Sequence, residues 1–352
     1  MIQPIFDGHN DVLLHLWRTG DRAGESFFRG RPGGHVDLPR ARAGGLAGGF
    51  FAVYVPNPPG PVPFTSGDDG KVDEMPPIEG IDPAAARATT LEIAAILIRM
   101  SRARPDAIRL CRSGAEIEAA RAAGAMAAIL HLEGAEGIGG GLDELEILHA
   151  AGLRSLGPVW SRPNIFGHGV PFHFPASPDT GPGLTDAGRR LVAECNRLGI
   201  VLDLSHLNEA GFWEVAKRSE APLAATHSNV HAIAPSARNL TDRQLDAIAD
   251  SGGVVGLNFA VGFLREDGRR ISATPLDLLI RHLAHLLEHL GESGVALGSD
   301  FDGALIPREI GSAAGLPALV EAMCQAEFGA ALIHRICWQN WVDLIDRTVK
   351  PA

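Results

Sequence analysis

Short apolar runs recur along the chain, and each is bounded by turn-forming residues. Several are almost continuous in hydrophobic residues, which is typical of parallel strands covered on both faces. The pattern predicts eight strands, at Ile5–His9, Gly49–Val55, Met126–Leu132, Leu153–Val159, Ile200–Leu204, Leu223–Thr226, Gly253–Asn258 and Val295–Ser299.

Segments with helical spacing follow most of these strands, and the clearest are Thr185–Leu198, Leu207–Arg218, Thr241–Asp250 and Pro275–Leu290. Alternating strands and helices produce a parallel sheet. Eight repeats favour an α/β fold of the (β/α)8 TIM-barrel type, and a doubly wound open sheet is the alternative. No linker or internal repeat divides the chain, so we expect residues 1–352 to form one domain.

Two stretches interrupt the alternation and are rich in proline and glycine, residues 56–85 and 161–184. We expect both to be long surface loops. The second follows the fourth predicted strand, at the face of a TIM barrel where active sites are built, and is a candidate lid.

Composition excludes several classes of function. The formal net charge is −11 and no run of Lys or Arg occurs, which argues against a nucleic-acid partner. There is no apolar stretch of 18 residues, and the N-terminus lacks the pattern of a signal peptide, so no membrane partner is expected. The four cysteines form no CxxC pair, as in proteins whose thiols stay reduced. These features predict a cytoplasmic protein.

The ends of the predicted strands carry the strongest chemical signal. Catalytic residues of TIM barrels lie at the carboxyl ends of strands, and five of these ends bear metal-binding or acid–base side chains: His9 with Asp11, Glu133, His206, His227 and Asp300. Imidazole and carboxylate suit zinc, with other divalent first-row metals as alternatives. The pattern predicts a metal-dependent hydrolase.

Two divalent ions bound close together need a bridging ligand. Some barrels use a carboxylated lysine for this purpose, but none of the three lysines, Lys71, Lys217 and Lys350, ends a predicted strand. Glu133 is therefore the expected bridge.

An ordered series of motifs resembles the renal-type (membrane) dipeptidases, a branch of the amidohydrolase superfamily. The motifs are FDGHND at 6–11, HVDLPR at 35–40, HLEG at 131–134, GIVLDLSHL at 199–207, ATHSN at 225–229, ARNLTD at 237–242 and LGSDFDG at 297–303. The resemblance spans about residues 1 to 345, and it is specific because order, spacing and strand context agree.

The resemblance implies a binuclear zinc metallodipeptidase with two Zn²⁺ per chain. By this resemblance, His9 and Asp11 bind the first zinc and Glu133 bridges, while His206 and His227 bind the second. A hydroxide activated by both metals would cleave a small dipeptide, including one with a D-residue at the C-terminal position. Two further roles are implied: Arg238 grips the substrate carboxylate, and Asp300 is the catalytic proton shuttle. Homodimers are common in this family, and the sequence identifies no interface.

One position departs from the family pattern. The family usually has a substrate-contacting histidine after the fourth strand, where the segment LGPVWSRPN places Trp160. Indole donates one hydrogen bond but carries no titrating proton. Either the metals alone stabilise the oxyanion, or His168 or His173 from the following loop substitutes.

This departure keeps two alternative functions open. The first is a two-metal amidohydrolase that acts on another small amide, such as an N-acyl amino acid or a lactam. The second is a non-catalytic metal-containing barrel.

A separate motif, His285-Leu-Leu-Glu288-His289, matches the H-x-x-E-H pattern of inverted zinc proteases. It falls on the helix predicted after the seventh strand, in the outer ring of the barrel and far from the strand ends. We therefore interpret it as a polar helix face.

Overall fold

The strands form one parallel sheet that closes into a barrel. The structure is a computed structural model, and it describes residues 2–57, 70 and 80–350. Its strands are Ile5–Asn10 (β1), Leu46–Tyr54 (β2), Ile108–Leu110 (β3), Met126–Glu133 (β4), Leu153–Gly157 (β5), Val201–Leu202 (β6), Ala224–Ala225 (β7), Val254–Asn258 (β8) and Val295–Gly298 (β9). All eight predicted strands are present, and β3 is an additional short one.

Strand order confirms the TIM-barrel prediction. Neighbouring strands pair in the order β6-β5-β4-β2-β1-β9-β8-β7, and every pair is parallel. A parallel bridge between Asp203 and Ala224 joins the two ends of this series, so the eight strands form a ring. The short β3 lies outside this ring, where it pairs with the start of β4.

Side chains reinforce the ring where β6 and β7 are only two residues long. The backbone N–H of Leu204 donates to the carbonyl of Ala224 at 2.8 Å. The Asp203 carboxylate accepts from the backbone N–H of Thr226 at 2.8 Å and from its hydroxyl at 2.6 Å. These contacts take the place of the backbone hydrogen bonds that longer strands would form, and they hold the ends of β6 and β7 together.

Helices surround the barrel. They are Val12–Arg18 (α1), Glu25–Arg29 (α2), Leu38–Gly44 (α3), Pro83–Ala103 (α4), Gly114–Ala122 (α5), Asp143–Ala151 (α6), Asp186–Leu198 (α7), Glu209–Arg218 (α8), Asp242–Asp250 (α9), Val261–Leu264 (α10), Leu276–Leu290 (α11), Leu316–Gln325 (α12), Ala330–His334 (α13) and Asn340–Thr348 (α14). A 3-10 turn covers Ala313–Gly315 and a π-helical turn covers Arg335–Gln339. The four predicted helices correspond to α7, α8, α9 and α11.

Capping residues explain where the predicted helices begin. The Thr185 side chain accepts from the Gly188 N–H before α7, and Asn208 accepts from the Gly211 N–H before α8. Thr241 and Gln244 form a capping box at the start of α9. Such side chains satisfy backbone donors that the first turn leaves unpaired.

Two tryptophans from the C-terminal helical segment pack against the barrel strands. Trp338 and Trp341 belong to one buried apolar cluster with residues from seven strands: Phe6, Phe50, Ile129, Val201, Ala224, Val254 and Ala296. The indole N–H of Trp341 donates to the Leu297 carbonyl at 2.9 Å. This packing holds the π-helical turn and α14 against the sheet.

The two predicted loops differ in how much of them is described. Residues 161–184 contain no helix or strand and join β5 to α7, as expected. Most of the other predicted loop, 56–85, lies outside the described residues, and α4 already begins at Pro83.

Candidate metal centre and substrate pocket

The six side chains predicted from the strand ends lie together at one end of the barrel. Five are buried, and Asp300 is partly buried. They lie in or after different strands: His9 in β1 and Asp11 just after it, Glu133 at the end of β4, His206 after β6, His227 after β7 and Asp300 after β9. The carboxyl ends of parallel barrel strands meet at one face, so residues up to 291 positions apart become neighbours.

Glu133 lies between two sets of donor atoms. Its Oε1 atom is 2.9 Å from Nε2 of His206 and 3.6 Å from Nε2 of His227. Its Oε2 atom is 3.7 Å from Nε2 of His9, which is 3.4 Å from Oδ2 of Asp11. Each oxygen of one carboxylate therefore faces a different group of ligand atoms.

Unpartnered polar atoms show that this donor set suits metal ions. Both ring nitrogens of His9 and Oδ1 of Asp11 are buried without a hydrogen-bond partner among the described residues. Nε2 of His206 and Nε2 of His227 lie 3.2 Å apart. Buried polar atoms are normally paired, and a cation between these two nitrogens would satisfy their lone pairs. The residues fit one divalent ion on each side of Glu133.

The charge balance of the pocket agrees with this fit. Burial, with help from the positive charge of Arg238, lowers the pKa of His206 and of His227 well below the ordinary value, so both rings are neutral as metal ligands must be. Burial also raises the pKa of Glu133, and the nearby carboxylates add to this effect. For His9, burial lowers the pKa, but facing carboxylates outweigh it and raise the value to about 10. The carboxylates that favour a proton on His9 would likewise favour a metal cation beside it.

Hydroxyl groups orient the two neutral histidines. Nδ1 of His206 lies 2.8 Å from the Ser161 hydroxyl, and Nδ1 of His227 lies 2.8 Å from the Thr226 hydroxyl. With Nδ1 engaged, each ring presents Nε2 to the pocket. Such outer contacts set the tautomer and direction of a metal-binding imidazole.

A second polar layer lies next to the centre. His131 is fully buried, with Nδ1 2.9 Å from the Ser155 hydroxyl and Nε2 3.6 Å from the Asp203 carboxylate. Its ring centroid is 5.7 Å from that of His9. Burial lowers the pKa of His131 to about 3, so it packs as a neutral ring.

Asp300 lies beside one histidine from each of the two sets of donors. Its carboxylate can share one ion with His9 and His227, and it accepts a hydrogen bond from the Asn258 side chain at 3.1 Å. Burial raises the pKa of Asp300, and the charge of Asp11 adds to this. The residue has a left-handed backbone with φ of 58°. Asp300 is therefore a partly buried carboxylate beside His9 and His227, with a pKa above its ordinary value.

Arg238 is buried beside the second set of ligands. Its guanidinium donates to the backbone carbonyl of Ser205, to the Ser228 hydroxyl at 3.1 Å and to the His227 carbonyl at 3.1 Å. Its Nη2 lies 3.1 Å from Nε2 of His206. Nε has no partner among the described residues. Burial lowers the pKa of Arg238 to about 10, so the group keeps its charge at neutral pH.

Trp160 forms part of an aromatic wall beside the centre. Its ring lies 5.7 Å from His206, 5.1 Å from Tyr54 and 5.5 Å from Phe172. Phe172 in turn stacks on Phe263 at 5.8 Å, and the Arg238 guanidinium lies 5.8 Å from the Phe263 ring. The wall therefore runs from His206 to the buried Arg238.

Neither loop histidine belongs to the candidate metal centre. The ring of His168 donates to the Gly183 carbonyl at 3.2 Å, within its own loop. His173 is exposed. Neither is among the groups of potential metal ligands in the described residues.

The family model for membrane dipeptidases, peptidase family M19, matches residues 2–350. The chain belongs to this family. Its place in the membrane dipeptidases agrees with the resemblance carried by the sequence motifs.

Solved structures of M19 relatives match almost the whole chain. One is dipeptidase AC, a family M19 metallopeptidase, which is 53% identical, with 99% of both chains covered and a TM-score of 0.93. Another is a metallopeptidase from Rhodobacter sphaeroides, liganded with a phosphinate mimic of the dipeptide L-Ala-D-Ala. It is 52% identical, with 99% of this chain and 100% of that chain covered and a TM-score of 0.95. An uncharacterised Klebsiella pneumoniae protein is 49% identical over 238 residues, which are 68% of this chain and 88% of its own.

The described part of this M19 chain contains no helix that is both long enough and apolar enough to cross a membrane.

The sequence analysis did not identify the polar residues that surround the candidate ligands. Ser161, Thr226, His131 and Asp203 lie within or next to the quoted motifs. Serine and threonine beside a candidate metal ligand were a usable signal for the first two. His131 and Asp203 carry no such signal, since their pairing joins residues on different strands.

Proposed function

We propose that this M19 chain is a two-metal dipeptidase. In this proposal His9 and Asp11 hold one ion, His206 and His227 hold the second, and Glu133 bridges them. The observation that carries it is the division of the Glu133 carboxylate, whose two oxygens face the two sets of donors separately. Imidazole and carboxylate donors favour zinc.

The proposed substrate is a dipeptide with a free C-terminal carboxylate. Arg238 supports this choice, because it is buried, charged and has an unpartnered Nε donor. Planar guanidinium groups bind carboxylates through paired hydrogen bonds. The Rhodobacter sphaeroides relative bound a mimic of L-Ala-D-Ala, so we extend the proposal to dipeptides that end in a D-residue.

Two bound ions would supply Lewis-acid polarisation of the scissile carbonyl and activation of a water molecule. The chain's own residues do the rest. Arg238 orients the substrate by its carboxylate, while Trp160 and Phe172 cover one side of the pocket and exclude water. Asp300 passes a proton to the leaving amine, and burial raises its pKa, which favours the protonated carboxyl group that this role needs.

Metal analysis combined with a substrate panel tests the proposal. We expect about two zinc ions per chain and hydrolysis of L-Ala-L-Ala or L-Ala-D-Ala that is lost on chelation and regained with zinc. Glu133→Gln should reduce both metal content and hydrolysis, whereas Glu144→Gln, outside the centre, is the matched control. Full metal content and full activity in Glu133→Gln would contradict the proposal, and metal without turnover of any amide would indicate a non-catalytic barrel.

Trp160 favours one second candidate, a two-metal amidohydrolase for another small amide. It occupies the position at which the family usually has a histidine that contacts substrate, and its ring lies 5.7 Å from His206. A flat indole there offers an apolar surface to an acyl group. Faster hydrolysis of N-acetyl-alanine than of either dipeptide would select this candidate.

A further inference from the structure

A second cluster of histidine and aspartate side chains lies on the outside of the barrel, between α9 and α11. Asp242 is the first residue of α9, and His285 and His289 are one turn apart on α11. One ligand atom from each lies within 4.8 Å of the others. The cluster shares no residue with the centre around Glu133.

Two imidazole nitrogens converge on one carboxylate oxygen. Nε2 of His285 lies 2.8 Å from Oδ1 of Asp242, and Nε2 of His289 lies 3.8 Å from the same oxygen. The two rings stack with centroids 4.8 Å apart. The side chains of His285 and His289 are 22% and 21% exposed, so an ion from solvent can reach them.

Asp246 supplies an independent observation that points to a ligand. One turn after Asp242 on α9, it accepts a hydrogen bond of 2.7 Å from Nδ1 of His289. This bond places the His289 proton on Nδ1 and leaves the Nε2 lone pair directed at the cluster. A carboxylate behind the ring is the usual support of a metal-binding histidine.

The neighbouring residues of the motif have other roles. His282, one turn before His285, is buried, accepts from the Val230 N–H at 3.2 Å and donates to the Leu264 carbonyl at 3.0 Å. Both of its nitrogens are therefore occupied. Glu288 is exposed and is not part of the cluster. The H-x-x-E-H motif thus contributes its two histidines to a site that includes a residue of another helix.

We propose that Asp242, His285 and His289 bind one divalent ion of the nickel, copper and zinc class, with Asp246 as the positioning residue for His289. Two imidazoles and one carboxylate suit these ions, and water would fill the remaining positions. Binding displaces the proton that His285 shares with Asp242, and that proton goes to solvent. The ion would join α9 to α11 at the surface.

Nickel binding to the zinc-loaded protein tests this proposal. Wild type is compared with His285→Ala/His289→Ala, with Asp246→Asn, and with His149→Ala as a control on the distant helix α6. Calorimetry should show one nickel equivalent more in wild type and His149→Ala than in the double variant. Asp246→Asn should bind this ion about 10–100-fold more weakly, as for other supporting carboxylates.

Thermal unfolding gives a second readout, because an ion that binds only the folded state raises Tm. Nickel should raise the Tm of wild type and of His149→Ala but not of the double variant, whose fold is checked by circular dichroism. Equal nickel uptake in wild type and the double variant overturns the proposal. Neither readout depends on dipeptide hydrolysis, so this result is separate from the test of the catalytic centre.

Discussion

Ser161 and His206 are joined by a 2.8 Å contact between the serine hydroxyl and Nδ1 of the imidazole. The other ring nitrogen of His206 faces Glu133. Ser161 begins the long loop that follows β5, so this contact links the loop to the proposed metal centre. The orientation of one ligand therefore depends on a residue far from it in sequence.

Ser161→Ala should weaken metal binding without unfolding the barrel. Removing the hydroxyl releases the His206 ring, and outer-contact changes of this kind cost about 10–100-fold in metal affinity. The measurement is zinc retention against a competing chelator. Ser177→Ala, at an exposed position of the same loop, should behave as wild type, and an unchanged affinity in Ser161→Ala would remove the orienting role.

Arg238→Met should impair binding of substrates that carry a free carboxylate. Losing a hydrogen-bonded charge pair corresponds to roughly a 10–100-fold rise in KM for a dipeptide, with a much smaller effect on its C-terminal amide. The two substrates are compared in the same variant, so general damage to the site affects both. Equal losses for both substrates would mean that Arg238 does not bind the carboxylate.

Gly303→Ala should disturb two acidic residues at once. A Cβ atom at Gly303 would lie 2.2 Å from Oδ2 of Asp11 and 2.5 Å from Oδ1 of Asp300. Nonbonded carbon and oxygen atoms do not approach each other this closely, so both carboxylates must move. We expect lower metal content and at least a tenfold lower kcat, on the order seen when supporting contacts are lost. Gly140→Ala, with open space around its Cβ position, is the control.

His282 should make the protein less stable in mild acid. Burial lowers its pKa from 6.5 to about 4. Between these values the unfolded chain takes up a proton that the folded protein excludes, so the free energy of unfolding falls as pH drops and is level above the unfolded pKa. For this shift, the total decrease in the free energy of unfolding is about 3 kcal/mol once the pH is below both pKa values.

His282→Gln tests this dependence through urea unfolding. The variant should be less stable than wild type near neutral pH, because buried hydrogen bonds are lost. Its deficit should shrink by roughly 2 kcal/mol between about pH 7 and about pH 5, since glutamine does not titrate. His173→Gln, on an exposed loop, should follow wild type. A constant deficit across this range would show that His282 does not titrate in it.

The order of apolar runs was sufficient to predict the barrel and the polar residues at the carboxyl ends of its strands. Each run is long enough for a strand, and the residue that follows a parallel strand must lie at the carboxyl edge of the sheet. His9, Glu133, His206 and His227 could therefore be grouped before any contact was known. The short β3 was missed because three residues carry too little pattern.

Only the folded barrel decided how these residues meet. The division of the Glu133 oxygens, the contact of Ser161 with His206 and the burial of Arg238 depend on ring closure and on side-chain rotamers. The pairing of Asp242 with His285 likewise joins two outer helices that are 43 residues apart. The spacing of hydrophobic and polar residues predicts which face of a strand or helix a side chain occupies. The distances between side chains that are remote in sequence are set only when the strands and helices pack together.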